Sequence, residues 1–372
     1  MMLRGAFIVA LMAVAFSCCA AADTPVSAPQ SKTVQVNNTS SLYNAVKQAN
    51  QRGGNTQIVI APGTYQLNNT LVITGDNIAL VSASGQPENT ILRGAGMVPS
   101  RQVKNLIRVS GQHFRFSGLT GEATPNHIIQ IVGEDNADFA VIENCILQDA
   151  YEQLLKVSHR SDREIAADHG VIRHCTFGYT RGIGPQYYIG GIDLHLGQNW
   201  LIEANQFIGI ASPDNRVAEH AIHLWNNSTS NRVIDNVILN SDRGIGFGMG
   251  SRGNVGGLIK DNIIYHADNG HPKADAGIIL ESSPETIVKN NWLIQYHDYP
   301  NAIEYRFPST QNILIIGNGV NKRIRQRNNA SAQVSENNEI EDLPAALKHI
   351  ILKRFPSYYQ QMVFDTLFAN HD

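Results

Sequence analysis

Asp193 and His195 stand two residues apart, and His220 and His223 follow less than thirty residues later in a similar run. Imidazole and carboxylate groups so placed move protons near neutral pH. Lys156, Arg243 and Arg306 add fixed positive charge, and Glu281 and Glu304 add negative charge. Cations of this kind hold an anion that forms during reaction. Trp225 offers an aromatic face on which a sugar ring can stack. The glycines Gly244, Gly246 and Gly248 read as a floor that a ligand can approach closely.

A repeat places these groups. A branched apolar pair, two mostly polar residues, a ladder residue and another apolar residue recur from 141 to 320. The copies begin at Val141, Val171, Leu201, Val233, Leu258, Ile287 and Leu314, with ladder residues Cys145, Cys175, Asn205, Val237, Asn262, Asn291 and Asn318. An irregular repeat of this length with β-branched residues is a solenoid of strands. A second strand precedes each copy, as in Ile192-Asp193-Leu194-His195, Ile222-His223-Leu224-Trp225, Ile278-Ile279-Leu280-Glu281 and Ile303-Glu304-Tyr305-Arg306. Alternation turns the first and third positions inward and the second and fourth outward. The outward columns therefore set Asp193 beside His223, His195 beside Trp225 and Glu281 beside Arg306. Gly191, Ala221, Gly244, Gly277 and Ala302, one place upstream, read as part of the same exposed face. The 176–190, 208–219 and 250–256 loops read as groove walls, carrying Tyr187 and Tyr188, with Glu219, His220 and Arg243 at the loop ends.

Only 16% of residues are charged and the net charge is −3, which argues against nucleic acid as a partner. Residues 1–22 read as a secretion signal, with Arg4, an apolar stretch and Ala20-Ala21-Ala22, which implies a secreted or periplasmic protein. Cys18 and Cys19 are the lipidation candidates. Residues 23–35 read as a linker, 36–342 as the solenoid and 343–372 as a helical cap or tail. The run Ser40 to Ala49 reads as a helix that plugs the open end. No apolar run is long enough to span a membrane in the mature chain, and the chain is expected to act as a monomer. Cys145 and Cys175 share one ladder position, where a disulfide and a pair of stacked buried thiols both fit. A transition metal would use Asp193, His195 and His223. Ca²⁺ bridging substrate carboxylates is the other cation reading.

The helix followed by Ile58-Val59-Ile60-Ala61-Pro62-Gly63-Thr64-Tyr65 resembles the opening of right-handed parallel β-helix proteins of the pectin-lyase-like group. The runs Gly190 to His195, Glu219 to Trp225, Arg243 to Gly248 and Ile303 to Phe307 resemble secreted bacterial proteins of that fold. A more distant similarity links Asp193-Leu194-His195-Leu196 and His220-Ala221-Ile222 to mannuronan C5-epimerases and uronate lyases. Their motifs are Asp-Pro-His-Asp and His-Gly-Ile. Leu194, Leu196 and Asn226 stand where that family has a proline, an aspartate and an arginine. The resemblance implies an enzyme on an acidic polysaccharide, with His195 as the base at C5 and Asp193 nearby. Arg243, Arg306, Lys156 or a cation would neutralise the substrate carboxylate. Two rivals remain at this stage: a glycosidase using Asp193, Glu281 or Glu304, and a non-catalytic glycan-binding or adhesin-like solenoid.

Overall fold

A computed structural model describes residues 32–368. The expected signal over 1–22, with Cys18 and Cys19, lies outside them. Three all-parallel sheets of 12, 10 and 11 strands wind into a right-handed parallel β-helix. The ten-stranded sheet carries the expected columns. Asp193 pairs with His223, His195 with Trp225 and Glu281 with Arg306. Inward residues of all three sheets form one continuous core, in which the Phe177 and Phe207 rings stack at 4.8 Å.

Helix α1 (Thr39–Gln51) buries Leu42, Ala45, Val46 and Ala49 over the first coil. Its N-cap is Asn38 in a capping box with Ser41, so the helix starts slightly upstream of the Ser40 at which the sequence places it. A strand, Lys32–Val36, occupies the end of the stretch read as linker. It pairs with Gly54–Ile60 and extends the 12-stranded sheet.

The ladder is confirmed, with one correction. Leu201 and Ile202 pair with Arg232 and Val233, not with Val233 and Ile234. The fourth ladder residue is therefore Asn236, not Val237. Each side-chain amide donates to the next carbonyl along the stack: Asn205 to Asn236 at 3.0 Å, Asn236 to Asn262 at 2.9 Å, then through Asn291 and Asn318 to Asn337. Each also donates to a backbone carbonyl, as Asn262 does to Val233. Cys145 and Cys175 begin the column as buried free thiols. Their sulfurs donate to backbone carbonyls, so the thiol reading holds and the disulfide does not.

The C-terminal helices do not cover the last strand edge. Helices α2 (Ala345–Arg354) and α3 (Gln360–Phe368) lie on the flank of the 11-stranded sheet. Ile351, Val363 and Leu367 pack there on Val237, Leu239, Ile263 and Tyr265. The middle strands of that sheet are buried on both faces, which explains uninterrupted apolar strands such as Val237–Leu239. The terminal strand Arg323–Arg327 stays largely exposed. No helix among the described residues is long and apolar enough to cross a membrane.

Candidate functional site

Strand alternation fails at one place, and the failure shapes the groove. Gly191, Ala221, Gly244, Gly277 and Ala302 are buried, at the bend that enters the ten-stranded sheet. A Cβ on Gly191 would strike Ala221 O at 2.2 Å and the Phe207 ring at 2.8 Å; one on Gly244 would strike Gly277 O at 2.2 Å. These small residues face the wall and core, so they are no floor for a ligand. Two consecutive inward positions leave the residue before them pointing out, on the face that carries His223. His220, Arg243 and Asn301 occupy that extra outward column. Gly246 has a different purpose: a Cβ there would lie 2.6 Å from His220 Nε2, so glycine makes room for the imidazole.

The groove's first cluster is Lys156, Asp193, His195 and Trp225. Asp193 is buried and doubly held. Trp225 Nε1 donates to its Oδ1 at 2.7 Å, and Lys156 donates to Oδ2. Burial opposes its charge, but Lys156, His195 and His223 outweigh that cost and hold the carboxyl well below its usual range. Lys156 Nζ also lies 2.7 Å from His195 Nε2. An ammonium can only donate, so Nε2 carries the lone pair. Burial lowers the His195 pKa, against the pull of Asp193. Lys156 thus contacts two of the three side chains, Asp193 and His195, that the sequence offers as metal ligands.

Trp225 does not offer a bare stacking face. The His223 ring stacks on it at 5.4 Å, and the Arg252 guanidinium lies 4.2 Å over it. Tyr187 is likewise covered by Arg216 at 3.2 Å. Tyr188 remains half exposed, and burial together with Asp193 keeps its phenol protonated.

The second cluster surrounds a pocket of about 270 Å³ whose lining includes Glu219, His220, His223, Arg243, Gly248, Glu281 and Arg306. Arg306 is fully committed: it donates to Glu304 at 2.6 Å and Glu281 at 2.8 Å. Glu304 also accepts from Tyr299 and Asn301, both at 2.6 Å, and Glu281 from Gly250 N at 2.6 Å. Arg243 pairs with Asp275 at 3.2 Å. Asp275 and Tyr299 were missed from sequence, because they lie on loops outside the repeat.

The histidines of this cluster are neutral. Burial takes His223 to about 4. Burial, then His223 and Arg243, takes His220 well below its usual range. His223 Nε2 pairs with Gly248 O at 3.1 Å, which makes Nε2 the protonated nitrogen. Both His220 nitrogens are buried without any hydrogen-bond partner, at a cost of about 1–3 kcal/mol each. Burial raises the Glu219 carboxyl, opposed by Arg243. A larger cavity of about 610 Å³ lies between α3 and the 11-stranded sheet and contains none of these groups.

No family model and no curated protein sequence matches this chain. Solved structures do. The catalytic domain of a GH87 α-1,3-glucanase, in complex with tetrasaccharides, aligns at 14% identity and TM-score 0.54 over 81% of this chain and 58% of that one. The tailspike protein of Acinetobacter baumannii phage AM24 aligns at 9% identity and TM-score 0.52 over 81% and 51%. The PL6 family alginate lyase AlyGC aligns at 17% and TM-score 0.49 over 77% and 43%. The chain thus spans about half the length of these structures. The glucanase and tailspike alignments place this chain among parallel β-helix proteins by fold, and at such identities they say nothing of its reaction.

Proposed function

We propose that this chain acts on a uronate-containing polysaccharide and removes the proton at C5, next to the carboxylate, with elimination of the 4-linked sugar. The observation that carries the reading is the Lys156–Asp193–His195 cluster. Asp193 is fixed as an anion, so it cannot serve as a general acid. His195 is neutral, with its lone pair held by an ammonium. A uronate carboxylate arriving in the groove competes for Lys156. Drawing Lys156 away frees His195 Nε2 as the base and leaves a cation beside the enolate-like charge. The C5–H electron pair then forms the C4–C5 double bond and the C4–O4 bond breaks. The leaving oxygen takes a proton from Tyr188 or from the newly formed imidazolium. Arg306 is held by Glu281, Glu304 and Asp275, whereas Lys156 and Arg243 each pair with a single carboxylate, so these two are the cations better placed to turn to the substrate. The glucanase neighbour's tetrasaccharide complex supports a sugar chain as ligand for this fold.

A hydrolytic reading rests on Glu219, whose carboxyl is raised by burial in the same pocket as Glu281. One experiment separates the two. The purified chain is incubated with a panel of polyuronates, and products are followed by the ultraviolet absorbance of unsaturated uronate and by NMR of the new ends. Unsaturated ends are expected. Saturated reducing ends would favour hydrolysis, and no turnover of any polymer would overturn both.

A further inference from the structure

We infer that Glu219, His220 and His223 form a binding site for a divalent transition metal, of which zinc is the type, opening into the groove pocket. One ligand atom from each of the three lies within 4.8 Å of the others. Zinc binds such groups at about 2.0–2.2 Å, so the three side chains would have to close around the ion from that arrangement. Two imidazole nitrogens and one carboxylate suit zinc or a neighbouring metal. Calcium takes oxygen ligands and would leave both rings unused.

Three further observations point the same way. Both His220 nitrogens are buried and unpartnered. A buried imidazole with no bond at either nitrogen is an unusual thing for a fold to keep, and a metal would satisfy one of them. Next, His223 Nε2 pairs with Gly248 O at 3.1 Å. That bond places the proton on Nε2 and leaves Nδ1 as the lone-pair nitrogen, the arrangement by which a backbone carbonyl orients a ligating histidine. Finally, Gly246 keeps open the space that the His220 ring fills, since a Cβ would come within 2.6 Å of it.

Arg243 and Arg306 line the same pocket and disfavour positive charge at His220, but carboxylate partners offset that repulsion. Arg243 is bound to Asp275, and Arg306 to Glu281 and Glu304. The Glu219 carboxylate has no hydrogen bond or ion pair among the described residues. Three protein ligands leave a coordination position facing the pocket. On the reading of the groove as a polyuronate site, a substrate carboxylate oxygen or a water would occupy it.

The test is direct. The full chain, stripped with a chelator, is titrated with Zn²⁺ alone by calorimetry, and with Co²⁺ while its visible absorption is followed. Wild type should take up one equivalent of Zn²⁺ and give Co²⁺ bands of a nitrogen-ligated site. His220→Asn and Gly246→Ala should each weaken uptake at least 100-fold while melting as the stripped wild type does. Gly246→Ala removes no ligand atom and only displaces the ring. His195→Ala should bind Zn²⁺ as wild type does. No uptake by wild type, or undiminished uptake by His220→Asn, would overturn the site. Zn²⁺ uptake without turnover of any polyuronate would support the site and sink the enzymatic reading. Turnover without uptake would do the reverse.

Discussion

Two polar columns run along this solenoid, one inside and one outside, and they obey opposite rules. The inner column is nearly uniform. From Asn205 to Asn318 every amide donates to the next carbonyl and to the backbone. The outer column changes residue on every coil: Lys156, Asp193, His223, Gly246. It contains a depressed carboxylate, neutral histidines and, beside it, the two orphaned nitrogens of His220. Both columns use the same strand spacing. A column that repeats one satisfied residue stabilises the stack. A column that varies and leaves polar groups unmet must be held for another purpose, because each unmet group costs stability.

The largest expected difference is with pH. The ordinary histidine value is 6.5, and burial takes His127 and His223 to about 4. Their folded values lie below their unfolded ones, so protonation favours unfolding. Stability is complete above about pH 6.5 and falls as pH drops toward 4, by about 3 kcal/mol for each of these two. Asp193 is depressed as well; its contribution persists in this window and is lost only below the usual carboxylate range. The Asn ladder does not titrate. Urea unfolding at a series of pH values should show the loss, and His223→Gln should remove about half of the part these two histidines contribute. A flat profile in the wild type would erase the contrast between the columns.

Asn262→Ala comes next, with an expected loss of roughly 3 kcal/mol or more, since it strands Val233 O and groups on Asn236 and Asn291. Gly244→Ala should cost about 1–3 kcal/mol, because its Cβ meets a neighbouring carbonyl. Gly246→Ala, two residues away on the groove face, should cost under about 1 kcal/mol, because the atoms in its way belong to a side chain that can rotate. Equal losses at 244 and 246 would contradict the inward bend. Least of all, a reductant should leave the melting temperature unchanged, with Cys145 and Cys175 alkylated only on unfolding; a reductant-sensitive melt would restore the disulfide.

Much of this contrast was legible in the sequence, for one reason. Period-two alternation and the repeat fix register, so the pairings of Asp193 with His223 and of Glu281 with Arg306 followed from text alone. The slip at Val233 arose because Arg232, a charged residue, stands where other coils have a branched apolar one. The small-residue bend was misread because strict alternation would put those residues outside, and only the close approach to Phe207 and Gly277 reveals their direction. Contacts supplied by loops were invisible: Arg252 over Trp225, Arg216 over Tyr187, Asp275 on Arg243. The position of α2 and α3 could have been inferred from the uninterrupted apolar strands of the 11-stranded sheet, which need a cover on the outside.

The central claim is that the outer column is kept for chemistry at His195. It is tested by measuring formation of unsaturated uronate from a polyuronate by wild type and by His195→Ala at the same concentration, alongside their melting curves. The account predicts that product formation falls at least about 100-fold while the two proteins melt within about 1 kcal/mol of each other. A His195→Ala protein that forms the product at the wild-type rate would contradict it.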